Sequence, residues 1–460
     1  MRVALFAPVD HGDRPEGRDA LGFARALARH VDLTVFVRVD PTRPTAPPAG
    51  LRVESQQRFE HAHLAGEFDH TLYFLANDAY LCEFVGRRLD AERSNRPGAI
   101  VLLRDATLQH YFQTVTLYLG DARNYHDGMA QAHGALGELA APVVTAGGGH
   151  DALFRELDML RFFLEAAAAV LVPTQALERR VRGLEGQLAP LVGWVPRGVA
   201  AATASRELRA ELLARAGVAA VAPGQRAYLV RVGGSALERD EAAAAAAALR
   251  RADPGAAIVL QGAEGVGVGD DPQVGWLAGS PPDEGDLPDW DGVVDLRDPI
   301  LGRTAIEVPR WLSAGIPVAV ADFAAFGDIP LDALARVPTL GGGEAAAQVL
   351  ANPALRESLR QRGRAYARQH ATHAAEVAGV LRFLRTHASE LVERSVILGN
   401  VRERVLVARR RAISARIRDA VFLGVPVELP GGLGGRFVAE VEEALKSFGI
   451  DPGPAATRSG

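Results

Sequence analysis

Several stretches place arginine, glycine and acidic residues where a short apolar run gives way to polar sequence. LLRDATLQHY carries Arg104 and Asp105, WVPRGV carries Arg197, VRVGGSALERD carries Arg231, Gly233 and Arg239, and LRDPILGRTAIE carries Gly302, Arg303, Thr304 and Glu307. A guanidinium presents a planar fork of donors that matches phosphate oxygens. Glycine lets backbone approach a ligand closely. A carboxylate such as Asp105 accepts a hydrogen bond from a substrate hydroxyl, or it caps a helix beginning at Ala106. Arg239 reads either as a phosphate ligand or as a solvated residue at a helix start, beside Glu238 and Asp240. Glu307 lies one helical turn from Arg303, the spacing of a surface ion pair.

The elements that hold these residues alternate. Val3–Pro8 reads as a buried strand, followed by a helix over Asp19–His30 and a strand at Leu33–Val37. Further strands are expected at Thr71–Leu75, Ala99–Leu103, Ala169–Val172, Ala227–Val232, Ala257–Gln261, Gly292–Leu296 and Pro317–Ala321, with helices between most of them. Continuous apolar runs of this kind indicate parallel sheets covered on both faces. The 460 residues exceed one hydrophobic core. We therefore expect an α/β domain at 1–195, a second at 196–372 beginning with a helix near Glu207–Ala216, a helix at 373–398 returning to the first domain, and a helical extension and tail at 399–460. Gly279–Asp291 reads as a loop. Beyond His370 the pattern turns helical, with one amphipathic run over Ala375–Leu398, a second over Val401–Leu423 and a last over Phe437–Phe448.

Composition narrows the function. The net charge of −5 argues against a nucleic-acid binder, and the single cysteine, Cys82, excludes an internal disulfide framework and a cysteine-rich metal site. No stretch is long and apolar enough to span a bilayer. A cytoplasmic protein is expected. The arginine-rich stretch 401–423 reads either as a solvated helix packed on the first domain or as a basic helix for a protein partner or the inner face of a membrane.

The segment VDLRDPILGRTAIEVPRWLSAGIPVAVADFAAFGDIP, at 294–330, resembles the signature of a subgroup of family 4 glycosyltransferases. Leu296, Arg297, Pro299, Gly302, Thr304, Ala314, Gly315, Pro317, Val318, Asp322, Phe326, Asp328 and Pro330 fall in its register. Asn77 and Tyr80 resemble an N-x-x-Y turn, and 103–111 resembles a strand ending in LHD. Residues 195–199 resemble a VPHGV junction, and Arg231, Gly233 and Arg239 resemble the first donor loop. The resemblance spans residues 1–390. It implies the GT-B fold, two Rossmann-like domains facing across a cleft, and retaining transfer of a hexose from a nucleoside-diphosphate sugar to a glycan, lipid-linked or protein acceptor. No metal is expected. Donor contacts would come from Arg231, Gly233, Arg239, Gly262, Gly302, Arg303, Thr304 and Glu307. Acceptor-side contacts would come from Gly17, Asn77 and Tyr80, and catalysis from Asp105 and Arg104.

The chain departs from that pattern at points of chemistry. Gly234 stands for an arginine and Arg239 for a lysine. Gly302 and Arg310 stand for two glutamates, and Arg303 for the glutamate of a GETS-type turn. Leu81, Arg104 and Arg197 stand for histidines. Arginine neither shuttles protons near neutral pH nor accepts hydrogen bonds. The substitutions at 104, 197 and 303 predict a cleft of increased positive charge and an anionic ligand. Three functions stay open at this level: a transferase, a GT-B pseudoenzyme that serves as binding partner, scaffold or nucleotide sensor, or an enzyme with a non-glycosyl reaction on the same fold.

Overall fold

The computed structural model describes residues 1–11, 14–38, 48–59, 67–78, 82, 85, 99–148, 156–164, 167–184, 190–218, 222, 224–262, 271–278, 286–298 and 304–394. Strand β1 (Arg2–Phe6), helix α1 (Pro15–Leu27), β2 (Asp32–Val37), β3 (Arg52–Ser55), β4 (His70–Leu75) and β5 (Ala99–Leu103) open the chain. Helices α2 (Gln109–Thr116), α3 (Ala122–His133), α4 (Ala135–Thr145) and α5 (Leu160–Leu164) precede β6 (Ala169–Val172), α6 (Gln175–Arg182) and β7 (Leu191–Trp194). These seven strands form one parallel sheet in the order β3-β2-β1-β4-β5-β6-β7. Its centre is dry on both faces: Val3 to Phe6 are fully buried, and Phe6 stacks between Phe36 and Tyr73.

A short strand, β8 (Ala204–Ser205), leads into α7 (Arg206–Arg215), β9 (Ala227–Val232), α8 (Ala236–Ala252), β10 (Ala257–Gly262) and β11 (Val274–Ala278). Then come β12 (Leu287–Pro288), which pairs with β8, β13 (Gly292–Asp295), α9 (Thr304–Ala314), β14 (Val318–Ala321) and β15 (Ala335–Val337). Six of these strands make a second parallel sheet, ordered β11-β10-β9-β13-β14-β15. Helices α10 (Gly342–Ala351), α11 (Pro353–His370) and α12 (His373–Thr386) follow, and residues 388–394 are helical again at the end of the described chain.

In each sheet the strand order reverses once, between β1 and β4 and between β9 and β13. Chains leaving those strand pairs diverge to opposite faces and open a crevice at the carboxyl ends. The covalent crossings between the sheets run side by side. Val199 bridges Thr372 in parallel, and its N–H donates to the Ala371 carbonyl at 3.0 Å. Helix α12 then buries Val377, Val380, Leu381 and Leu384 in the first sheet's core, in one cluster with Phe23 and Leu27 of α1.

Several elements differ from the sequence reading. The chain beyond His370 is helical as expected, and the helical stretch already begins earlier, because α10 and α11 fill 342–370. The run expected over 375–398 is broken at His387, which leaves helical geometry, and resumes over 388–394, where the described residues end. Strand β12 lies within the stretch read as a loop at 279–291. The basic stretch 401–423 and the last helix at 437–448 lie outside the described residues.

Candidate functional site

At the second sheet's reversal, two guanidiniums meet two carboxylates. Arg231, the penultimate residue of β9, donates to Gln261 Oε1 at 2.6 Å and to Glu307 Oε1 at 3.2 Å. Arg297, just past β13, donates through Nε and Nη2 to the two Asp295 oxygens, each at 2.7 Å. Its Nη2 also reaches Glu307 Oε2 at 2.7 Å. Asp295 is fully buried. Burial alone would lower the Arg297 pKa, but Asp295 and Glu307 push it above the ordinary arginine range. Arg297 therefore stays charged, and Glu307, from the first turns of α9, fixes its spacing from Arg231. The expected surface position of Glu307 is thus corrected, while its expected partner Arg303 lies outside the described residues. Glu307 is buried, and its partners are Arg231 and Arg297.

The loop after β9 is shaped by glycine and a helix cap. Ser235 and Glu238 form a reciprocal capping box at the start of α8. A Cβ on Gly233 would sit 2.3 Å from the Glu238 carboxylate. Glu238 Oε1 also accepts the Asp298 N–H at 2.9 Å, so one carboxylate ties together the loops leaving β9 and β13. Gly262 closes β10 with φ of 140°, and a Cβ there would lie 2.1 Å from the Val232 carbonyl oxygen. Arg239 folds back onto the Gly234 carbonyl of its own loop instead of pairing with Glu238 or Asp240. A Cβ at Gly234 would meet no other atom within 4 Å, so that stretch of backbone is open. Thr304 begins α9; Gly302 and Arg303 lie outside the described residues.

At the first sheet the arginines have a different part. Arg104 follows β5, and Arg197 lies on the first crossing; both are buried. Asp19 of α1 accepts from Arg104 at 2.8 Å and from Arg197 at 2.6 and 3.0 Å. Glu376 of α12 binds the other Arg104 nitrogen and accepts the Gly198 N–H at 3.0 Å. The Arg104 guanidinium also lies 4.6 Å from the Phe74 ring centroid. His373 Nδ1 is 3.5 Å from Glu376, and His373 packs where Cβ atoms on Gly22 and Gly198 would fall. Burial would raise the Asp19 pKa, but the arginines and His373 lower it to about 2. The same balance holds Glu376 below its ordinary value.

This corrects the expectation that Arg104 and Arg197 add surplus positive charge that attracts an anion. Two buried carboxylates neutralise them, and the four charges fasten α1, β5, the crossing and α12 together. No motif marked Asp19. The signal available was an acid on the helix face that also carries Ala20, Phe23 and Leu27, all buried.

Asp105 is not a helix cap, because α2 starts only at Gln109 and no side chain caps it. Its Oδ2 accepts the Asn77 N–H at 2.7 Å, and Asn77 Oδ1 accepts the Tyr111 N–H at 2.8 Å. Together they pin the exits of β4 and β5, and Asp105 stays only partly buried. Gly17 is required by packing: a Cβ would fall 1.9 Å from the His11 carbonyl oxygen. Burial raises the pKa of Asp10, beside His11 at the exit of β1, above the ordinary carboxylate range. Tyr80 lies outside the described residues.

The carboxyl ends of the two sheets approach one another. The Gln175 N–H, at the start of α6 just past β6, donates at 2.8 Å to Asp328 Oδ2, in the segment that follows β14. Among the described residues, no three His, Cys, Asp or Glu side chains are grouped to hold a metal ion, and no helix is long and apolar enough to cross a membrane.

No family profile and no curated protein sequence matches the chain. Solved structures do. Sucrose-phosphate synthase from Thermosynechococcus elongatus overlaps 85% of this chain and 99% of its own, at 15% identity and a TM-score of 0.51. HepE from Anabaena, solved with UDP and glucose, overlaps 84% and 100% at 14% identity and a TM-score of 0.49. WaaG, a glycosyltransferase of lipopolysaccharide biosynthesis, overlaps 83% and 99% at 14% identity and a TM-score of 0.42. The first of these overlaps runs across both sheets, and with the topology above it shows the GT-B fold.

Proposed function

We propose that the chain is a glycosyltransferase that takes a hexose from a nucleoside-diphosphate sugar and transfers it, with retention, to a hydroxyl of a glycan, lipid-linked or protein acceptor. The observation that carries this reading is the approach of the two sheets' carboxyl ends at Gln175 and Asp328, with Arg231 and Arg297 gathered at the reversal of the second sheet. Departure of a nucleoside diphosphate leaves negative charge on the β-phosphate. Preorganised guanidiniums and backbone N–H groups stabilise that charge without reorganising. The open backbone at Gly234 and the N-terminus of α8 add donors on the same side.

On the acceptor side, Asp105 is partly exposed and fixed through Asn77. Its second oxygen is the group we assign to hold an acceptor hydroxyl. Arg104 has no part in proton transfer, since its guanidinium stays charged and engaged. GT-B folds host varied chemistry, so the assignment rests on these residues and not on the fold alone.

The test is release of nucleoside diphosphate from a panel of sugar nucleotides by the purified chain. Release from at least one donor, lost in Arg297→Met, is expected. A chain that binds nucleoside diphosphate but releases none from any donor would be a sensor or scaffold instead.

A further inference from the structure

A second charged cavity lies at the opposite edge of the second sheet. Its volume is about 800 Å³, and it opens between α7, the turn before β9, the residues before β13 and the first turns of α11. The strands begin here, whereas Arg231 and Arg297 lie where they end. A six-residue strand separates the two regions by roughly 20 Å.

Four guanidiniums line this cavity, from Arg206, Arg209, Arg356 and Arg360, against three carboxylates from Asp289, Asp291 and Glu357. Their commitments differ. Arg209 is spent on the fold: it reaches the Asp289 carbonyl at 3.0 Å, Asp291 at 3.2 Å and the Gln225 carbonyl at 3.3 Å. Asp291 is spent too, accepting the Ala227 N–H at 3.0 Å. Arg356 is part-buried and meets no carboxylate among the described residues. Its Nη1 is held by the Leu350 carbonyl at 2.8 Å and the Tyr228 hydroxyl at 3.2 Å. Neutral acceptors orient that charge without cancelling it. Arg206 and Arg360 have loose ion pairs, 3.5 Å to Asp289 and 3.6 Å to Glu357. The N-terminus of the 18-residue helix α11 adds positive potential at the same wall. Leu213 and Val218 supply an apolar floor.

We propose that this cavity is a second ligand site that binds a small oligophosphate anion through Arg356, Arg206 and Arg360. Such an anion replaces two weak ion pairs with bidentate phosphate contacts and compensates Arg356, whose acceptors are neutral. Its distance from the strand-end site lets both be occupied at once. A ligand bridging α7 and α11 stiffens the domain that carries the donor residues, and couples to the other site only as far as it favours one arrangement of that domain.

The probe is inorganic pyrophosphate, titrated calorimetrically into the full chain with and without UDP. Pyrophosphate is expected to bind in both conditions. The charge-reversed pair Arg206→Glu with Arg360→Glu should weaken it by at least about tenfold, and Arg206→Glu alone, at a side chain that is 89% exposed, should weaken it in the same direction with the melting temperature little changed. Three results would overturn the proposal: no binding to the parent chain, equal affinity in the charge-reversed chain, or loss of the pyrophosphate signal when UDP is present. UDP titrated alone reports on the strand-end site separately.

Discussion

At the scale of single residues, position in the fold decides what an arginine does. Arg104 and Arg197 resemble positions that carry imidazoles in family 4 enzymes, and their types alone suggested a cationic cleft. The structure gives each a buried carboxylate partner. Removing a partner from such a group leaves charge in a dry interior. Asp19→Asn is expected to cost about 3–5 kcal/mol in urea unfolding. Asp19 also sets an acid limit. Its folded pKa of about 2 lies below the ordinary 3.8, so its contribution is complete above pH 4 and fades as pH falls toward 2. The loss is on the order of 2 kcal/mol and should be absent once Asp19 is replaced by asparagine. Glu307 holds Arg231 and Arg297 at one spacing. Glu307→Gln should weaken nucleoside-diphosphate affinity about tenfold, measured by calorimetry. The motif around 294–330 pointed to this region from sequence. Asp19 was not legible, because a lone acid in an amphipathic helix looks solvated until partners distant in sequence close over it.

At the scale of elements, the central strands were readable and the edges were not. Strands β5 and β6 have the bounds their apolar runs suggested, because a strand covered on both faces needs an unbroken apolar run, and β9 does so too although Arg231 interrupts its run. Strand β3 reads RVES and β15 reads ARV; each lies at a sheet edge with polar positions exposed to a partial degree. Pairing with a neighbour, not intrinsic pattern, makes them strands. Turn chemistry is sharper. Gly262 combines φ of 140° with a neighbouring carbonyl 2.1 Å from any Cβ. Gly262→Ala should destabilise the second domain by more than about 1 kcal/mol, seen as a lowered denaturation midpoint. Gly234, with open space around it, should tolerate alanine.

At the scale of the whole molecule, two sheets are joined by paired crossings and clamped where those crossings meet α1 and α12. Val199 and Thr372 bridge at the junction, and Glu376 accepts the Gly198 N–H beside it. The positions resembling family imidazoles thus serve the frame. At the second sheet's strand ends Asp295 and Glu307 likewise balance Arg231 and Arg297, but there Arg297 keeps part of its side chain exposed. Hydrogen–deuterium exchange on the full chain, with and without a panel of nucleoside diphosphates, separates these roles directly. Slowed exchange is expected at 231–239 and 295–307 with at least one nucleoside diphosphate, with no change around Arg104. Unchanged exchange at both strand-end segments with every nucleoside diphosphate would contradict the account.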